Sequence, residues 1–281
     1  MTERPAYFDK YKTIKFDRSD NGVLVMRLHS DDGPVKYNNV HHEEWAPAFT
    51  DVGMDRDNRV VVLAGSGDSF IDGHSSWDRP LDTPSDYDRP MWGEKMMFRR
   101  MFEIECPIIC AVTGPATIHA ELGVLGDIIL AADHAYFADD GHFPAGEVAG
   151  DGVHIVWQEL LGTNRGKYFL LTGQRIDAHE ALRLGVVNEV MPLADLMPRA
   201  MEIANRLATY ADLTLKYTRL CFVDKWKHLF HDAVGVGYGM ALAQLAHIDR
   251  GWMVWNDSKE GNADFAQFKR LYARGQEPGG A

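Results

Sequence analysis

The amino-acid sequence predicts an α/β protein with a mostly parallel sheet, followed by a helical C-terminal part. Short runs of β-branched and apolar residues at 60–64, 108–112 and 128–132 each predict a buried strand. Segments with helical spacing separate these runs, and alternation of strands with helices is typical of crossover units in a parallel sheet. From Asp151 onward helical patterns dominate.

The N-terminal segment predicts a β-hairpin and then a helix. Residues 11–28 contain two alternating arms, Tyr11 to Phe16 and Val23 to Leu28, with Asn21-Gly22 in the turn between them. Asn-Gly between alternating segments is a strong hairpin signal. Residues 39–54 then show apolar residues at helical spacing.

Residues 74–93 differ in composition from their neighbours. They are rich in Pro, Asp and Ser, which predicts a surface loop next to the end of the first buried strand. Because long loops at strand ends often form the wall of a substrate site, aromatic residues here are candidates for an apolar pocket wall or for ordinary core positions.

The C-terminal part carries helix boundary signals. Asp177 is followed three residues later by Glu180, a capping-box arrangement for a helix over 178–184 that Gly185 ends. The weakly charged segment 235–248 predicts a helix buried in the core or against another subunit. The Gly- and Pro-rich tail, 275–281, is expected to be disordered.

The composition excludes several function classes. The chain has 281 residues and a formal net charge of −12, which argues against nucleic acid and against an anionic membrane surface. We find no secretory signal, no membrane-spanning apolar run, no nucleotide-binding glycine motif and no metal-ligand spacing. The three cysteines suggest reduced thiols. We therefore expect a cytoplasmic protein without metal or cofactor.

Five segments in this order resemble the crotonase (enoyl-CoA hydratase/isomerase) superfamily, and the similarity runs from about residue 12 to about residue 270. The resemblance implies a crotonase-like spiral of ββα turns over 1–200. It also implies a helical region over 201–281 that packs homotrimers, often as a dimer of trimers. The five segments are 59–70, 107–114, 127–132, 171–174 and 178–187.

One loop departs from the common pattern of that superfamily. Most members stabilise an enolate or oxyanion with two backbone N–H groups, and the resemblance places the first near His74. The second usually comes from a glycine triplet, but residues 114–121 contain no such triplet. A loop without those glycines is not expected to bring its backbone close to a thioester oxygen, so CoA-thioester chemistry is not favoured.

The departure is similar to a branch of β-diketone hydrolases that includes 6-oxocamphor hydrolase. That resemblance implies a retro-Claisen hydrolysis, in which water cleaves a C–C bond of a small, perhaps cyclic, β-diketone and gives a keto acid. Tyr37 stands where the branch has Trp, and an acid of its late helix falls on Ala243. The residues carried over as catalytic are His119, His142, Asp151 and His42.

Each of these residue types suits a step of that reaction. A histidine held by a carboxylate, His142 with Asp151, can take a proton from water at neutral pH. His119, between a strand end and a helix, can donate a hydrogen bond to a substrate carbonyl and to the developing enolate. Further candidates for substrate contact are Tyr37, His74, Trp77 and Glu121.

Alternatives remain open at this stage. Glu121 with His142 can serve as acid and base of a CoA-thioester hydratase, isomerase or hydrolase, or Glu121 can be a core residue. His42, beside His41 and two glutamates, fits a solvated helix face equally well. A histidine at a helix start can be structural, and a non-catalytic oligomeric scaffold is the third possibility.

Overall fold

The computed structural model describes residues 4–75 and 84–247. Its strands form one six-stranded sheet and a second layer of short strands. The strands are β1 (Ile14–Arg18), β2 (Val23–Leu28), β3 (Val35–Tyr37), β4 (Val60–Ala64), β5 (Ile71–His74), β6 (Ile108–Val112), β7 (Ile128–Ala132), β8 (Tyr136–Phe137), β9 (Ile176–Asp177) and β10 (Glu189–Met191).

The main sheet has the strand order β1-β2-β4-β6-β7-β10. β1 and β2 pair antiparallel as the predicted hairpin, with Gly22 in the left-handed region that its turn requires. All other pairs of this sheet are parallel. The three apolar runs become β4, β6 and β7 at their predicted bounds, because both faces of these central strands are buried.

The second layer contains β3 paired with β5 and β8 paired with β9. Ala116 bridges Ile71 of β5 and Phe137 of β8, so it connects the two pairs. Consecutive segments of the chain thus place one strand in the main sheet and one in the second layer before turning into a helix. This is the ββα arrangement that the resemblance implied.

The described part of the chain contains eight α-helices. They are α1 (Asn39–Met54), α2 (Pro84–Glu103), α3 (Glu121–Val124), α4 (Val153–Leu161), α5 (Thr163–Thr172), α6 (Ala178–Arg183), α7 (Leu193–Leu207) and α8 (Asp212–His247), with short 3₁₀ turns at Ala6–Asp9 and Phe143–Ala145. α1 has the predicted bounds, and α6 follows its N-cap residue Asp177, whose side chain accepts a hydrogen bond from the Glu180 backbone N–H.

The predicted surface loop over 74–93 is wrong for its second half. Residues from Pro84 onward form α2, a twenty-residue helix that packs on α1. Pro90 lies inside this helix, where proline is ordinarily unfavourable. The helix is stabilised by its apolar side, since Met91, Met97 and Phe98 are buried. Residues 76–83 of the prediction lie outside the described residues.

The long helix α8 packs on α2 and α4. It is attached to the core by Arg219, which is 1% exposed and bonds to Asp127 and to two backbone carbonyls. In the segment predicted to be buried, Tyr238 is buried but Val236 and Met240 are exposed on this chain. Within the described part, no helix is both long and apolar enough to cross a bilayer. The tail over 275–281 lies outside the described residues.

Candidate active site

His119 occupies the loop between β6 and α3, in an unfavourable backbone conformation. Its φ is +44°, in the left-handed region that favours glycine, and its side chain is buried. A non-glycine residue in this region costs on the order of 1 kcal/mol or more. The ring packs edge-on against Tyr37, with ring centroids 4.6 Å apart. The loop therefore directs an imidazole into the interior of the protein.

His142 lies between two carboxylates. Its Nδ1 is 2.6 Å from Oδ1 of Asp139, in hydrogen-bond geometry. Its Nε2 is 3.2 Å from Oδ2 of Asp151, a contact that is close but not aligned as a hydrogen bond. Asp151 is itself fixed at the start of α4, because its Oδ1 accepts from the Val153 backbone N–H at 3.1 Å. The predicted contact between His142 and Asp151 is present, and Asp139 is an additional, closer partner.

His119 and His42 converge on a glutamate that the sequence analysis did not single out. Oε1 of Glu94, on α2, is 3.2 Å from Nε2 of His42 and 3.5 Å from Nε2 of His119. The other ring nitrogen of His119 is 3.5 Å from Oδ2 of Asp151. Carboxylates and imidazoles therefore alternate from Asp139 through His142, Asp151, His119 and Glu94 to His42.

Tyr37 and His74 lie at neighbouring ends of the paired strands β3 and β5. The Tyr37 ring contacts His42, with centroids 4.5 Å apart, and its buried hydroxyl has no hydrogen-bond partner among the described residues. His74 borders the same cavity as His119. Tyr238 of α8 has a second buried hydroxyl without a described partner.

The described cavity at this site is narrow. The wider space between its atoms, which includes open solvent, is about 450 Å³, and the cavity itself has a volume of about 30 Å³. That is room for one or two waters. Its lining residues are His42, His74, Pro90, Met91, Glu94, Ile118, His119, Asp139, Gly141, His142 and Glu147. A larger open groove beside α5, with Arg165 and Tyr168 in its lining, contains none of the predicted site residues.

Burial and the neighbouring charges set the protonation of the histidines in opposite directions. Burial opposes the charged form of His142, but Asp139 and Asp151 together raise its pKa well above the usual range. Burial also opposes charge on His119, yet Glu94 and Asp151 raise the pKa of that ring. Burial lowers the pKa of His42 well below its ordinary value and that of His74 to about 3. The two carboxylates thus favour the imidazolium form of His142, whereas burial favours the neutral forms of His42 and His74.

Three buried glutamates hold protons more strongly than exposed ones. Burial raises the pKa of Glu94, with the His119 contact opposing that change. Burial, with the charge of Asp151, raises the pKa of Glu147 to about 8 and that of Glu121 to about 7. Glu121 accepts from the Trp157 indole N–H at 2.8 Å and is not among the described residues that line the cavity.

Six of the predicted site residues converge. His119, His142, Asp151, His42, His74 and Tyr37 lie together. His42 is 3% exposed and His41 is 2% exposed, so the interpretation of a solvated helix face is wrong. Ala243 is exposed on α8, and Trp77 lies outside the described residues.

Glu94, Asp139 and Glu147 were missed. Glu94 directly follows the segment predicted as a loop, 74–93, and no motif marks Asp139 or Glu147.

One group of residues has the geometry to hold a divalent cation. His42, Glu94 and His119 each offer a ligand atom, and these atoms lie within 4.8 Å of one another. Two histidines with one carboxylate and an open position is a known catalytic metal arrangement. The same distances also suit hydrogen-bonded proton exchange among the three side chains.

Curated relatives of this chain include enzymes that act on CoA thioesters. The chain is 33% identical to the short-chain-enoyl-CoA hydratase of Clostridium acetobutylicum over 171 residues, which is 59% of this chain and 65% of that protein. It is 31% identical to the carnitinyl-CoA dehydratase of Citrobacter koseri over 61% of this chain and 66% of that protein. The chain thus matches slightly less than two thirds of the length of these relatives.

Solved structures give a different neighbour. A β-diketone hydrolase from the cyanobacterium Anabaena sp. PCC 7120, bound to (S)-3-oxocyclohexyl acetic acid, has 38% sequence identity and a TM-score of 0.84, over 87% of this chain and 98% of that one. An enoyl-CoA hydratase of Mycobacterium avium subsp. paratuberculosis K-10 has a TM-score of 0.75 at 18% identity, over 96% and 99% of the two chains, and shows the fold alone. The enoyl-CoA hydratase/isomerase family model matches residues 18–229, and the chain belongs to this family.

Proposed function

We propose that this chain is a hydrolase that adds water across a C–C bond of a small, cyclic β-diketone and produces a keto acid. The observation that carries the proposal is the convergence of His119 and His142 on one cavity, with Asp151 in contact with both rings. Support also comes from the Anabaena β-diketone hydrolase, whose bound molecule is itself a keto acid.

The water is activated by His142 in its neutral form. In the imidazolium, both ring nitrogens donate, one to Asp139 and one towards Asp151. When the ring loses the Nδ1 proton, that nitrogen and the Asp139 carboxylate are both acceptors, so the 2.6 Å contact becomes repulsive. Asp139 and His142 both line the cavity. A water can therefore enter between them and donate to Nδ1, while Asp151 holds the remaining N–H.

The attacked carbonyl needs donors for the charge that develops on its oxygen. His119 holds a proton because Glu94 and Asp151 raise its pKa, and its ring lines the cavity. Glu147, with a pKa of about 8, is a neutral carboxylic acid at neutral pH and can donate a second hydrogen bond. Since the open space suffices only for water, substrate binding requires the lining side chains to move apart.

A CoA-thioester activity is the second candidate, because the curated relatives are enzymes of that kind. It would use Glu121 as an acid beside His142. Glu121 instead accepts a hydrogen bond from Trp157 and is not among the described residues that line the cavity, which disfavours this role.

The deciding experiment is a spectrophotometric screen of cyclic β-diketones with the wild-type chain and with Asp151→Asn. We expect loss of diketone absorbance with the wild type and a rate lower by at least about 100-fold in the variant, because neutral His142 loses the carboxylate that holds its N–H. Enoyl-CoA hydration is assayed in parallel. Hydration of the thioester without turnover of any diketone would establish the second candidate instead.

A further inference from the structure

The second carbonyl of a β-diketone has no assigned donor in the proposed hydrolysis. When the C–C bond breaks, the oxygen of this carbonyl becomes the enolate oxygen and needs hydrogen-bond donors for its negative charge. We propose that the hydroxyls of Tyr37 and Tyr238 bind this oxygen and stabilise it while it carries the charge. The assignment rests on the proposed function and adds to it the residues that recognise the second carbonyl.

Both hydroxyls are buried without a partner. Tyr37 is 0% exposed and Tyr238 is 6% exposed, and neither hydroxyl has a hydrogen-bond partner among the described residues. No other tyrosine hydroxyl in the described ranges combines these two properties. Burying a donor without a partner destabilises a protein, so two such donors at one site need an explanation beyond packing. A substrate oxygen that accepts from both hydroxyls provides one.

Tyr37 reaches the site from the end of β3. Its ring packs against the rings of His42 and His119, with centroids 4.5 and 4.6 Å apart, and lies 6.1 Å from the ring of His74. All three histidines line the cavity. Tyr37 is therefore adjacent to His119, the donor proposed for the attacked carbonyl. The two carbonyl carbons of a β-diketone are separated by a single atom, so the donors for their oxygens have to be neighbours.

Tyr238 reaches the same region from α8, which runs antiparallel to α2. The ring of Phe230 packs on that of Phe102, with centroids 5.1 Å apart. Two turns further along α8, the ring of Tyr238 has its centre 5.9 Å from Nζ of Lys95. Tyr238 therefore lies level with the turn of α2 that carries Glu94.

On its other side, this part of α8 contacts the loop that leads to Asp151. Gly237 and Gly150 approach so closely that neither has room for a Cβ, which explains glycine at both positions. Tyr238 and Asp151 are the next residues of the two segments. Tyr238 thus lies beside both segments that supply carboxylates to the site.

Both hydroxyls remain protonated donors at neutral pH. Burial, with the neighbouring carboxylates of Glu94 and Asp151, raises the pKa of Tyr37 and that of Tyr238 well above the ordinary value. A neutral donor binds an oxygen more strongly when that oxygen is charged. The two hydrogen bonds therefore stabilise the enolate more than the neutral diketone, which lowers the barrier to C–C cleavage.

The hydroxyls keep their protons while the reaction proceeds. Water attacks one carbonyl carbon, and the bond from this carbon to the central carbon then breaks. Its electron pair becomes the C=C bond of the enolate as the π pair of the second carbonyl moves onto oxygen. Protonation of the central carbon restores that carbonyl. Over one turnover, water supplies the hydroxyl of the new acid and the proton on the central carbon.

The test measures turnover and stability of Tyr37→Phe and Tyr238→Phe, using a cyclic β-diketone that the wild type cleaves. Each variant is expected to lower kcat by about 100-fold, because one donor to the enolate oxygen is lost. KM should change less, since the hydrogen bond strengthens only as charge develops. The urea midpoint of each variant should equal or exceed that of the wild type, because the hydroxyl that is removed has no partner in the fold.

Tyr7→Phe is the matched control. It removes a buried tyrosine hydroxyl that donates to Asp55 at 3.0 Å and accepts from Asn58 at 3.1 Å, and none of these residues lines the site cavity. Its kcat should equal that of the wild type, whereas its urea midpoint should fall because a satisfied hydrogen bond is lost. The control thus reverses the pattern expected of the two site tyrosines.

The assignment fails on several results. If the wild type cleaves diketones and either site variant keeps its kcat, that hydroxyl does not bind the enolate oxygen, although the proposed function stands. A higher KM at unchanged kcat would restrict the hydroxyls to binding the neutral substrate. A lower urea midpoint together with lost activity would make the tyrosines structural. If the wild type cleaves no diketone, the proposed function fails and this assignment fails with it.

Discussion

Replacing Glu147 with glutamine should change how the stability of the protein depends on pH. Burial, and then the charge of Asp151, raises the pKa of Glu147 from 4.5 to about 8. The unfolded chain releases this proton near its ordinary value, whereas the folded protein keeps it. Folding therefore takes up a proton between these two values, and the free energy of unfolding falls as pH rises through that window. Above about pH 8, the raised pKa of Glu147, the folded protein is destabilised by the full amount.

The size of this effect follows from the two values. A tenfold difference in proton affinity corresponds to about 1.4 kcal/mol. The wild type should thus lose roughly 4 kcal/mol relative to Glu147→Gln between about pH 5 and about pH 8. Urea unfolding of both proteins across this range measures it, and the difference between the two curves cancels the other titrating groups. Parallel curves would show that Glu147 is ionised in the folded protein and cannot act as a neutral donor.

Three further outcomes test other parts of the structure. Asp139→Asn removes a charge that raises the pKa of His142. Because the neutral ring activates water, the acidic limb of the pH profile of kcat/KM should move to lower pH. An unmoved limb would exclude His142 as the base. His119→Ala should lower kcat by about 100- to 1000-fold in a diketone assay, with the fold intact by circular dichroism; a small change would make the ring structural. Arg219→Met leaves Asp127 without its buried partner. Urea unfolding should show that the free energy of unfolding falls by about 3 to 5 kcal/mol. A decrease below about 1 kcal/mol would mean that α8 is held by apolar packing alone.

The central strands could be predicted because one physical feature determines them. β4, β6 and β7 are buried on both faces, so their sequences are uninterrupted apolar runs and their bounds are visible without a structure. α2 could not be predicted in this way. Its polar first turns and internal Pro90 resemble a loop locally, and its helical state depends on packing against α1.

The convergence of the candidate site residues could be predicted where it depends on sequence position, but not where it depends on tertiary contacts. His119, His142 and Asp151 occupy loops at positions that a resemblance can carry over. Glu94 could not be predicted in this way. It lies on α2, whose sequence resembles a loop, and the position of that helix brings Glu94 to His42 and His119. Ala243, the position on which the resemblance placed an acid of the late helix, is exposed, and a buried carboxylate reaches the site from α2.

The charge of the cavity gives a reason why such a site should process a neutral diketone and then release its product. Among the described lining residues the acids are Glu94, Asp139 and Glu147, and none is lysine or arginine. A neutral diketone enters without electrostatic cost. Hydrolysis converts it into a carboxylate. The N–H groups of His142 and His119 already face Asp139, Asp151 and Glu94, so the product anion finds no unpaired cation among the described lining residues. An unpaired charge is costly in such a poorly solvated space, and the reaction therefore generates the charge that favours departure of its own product.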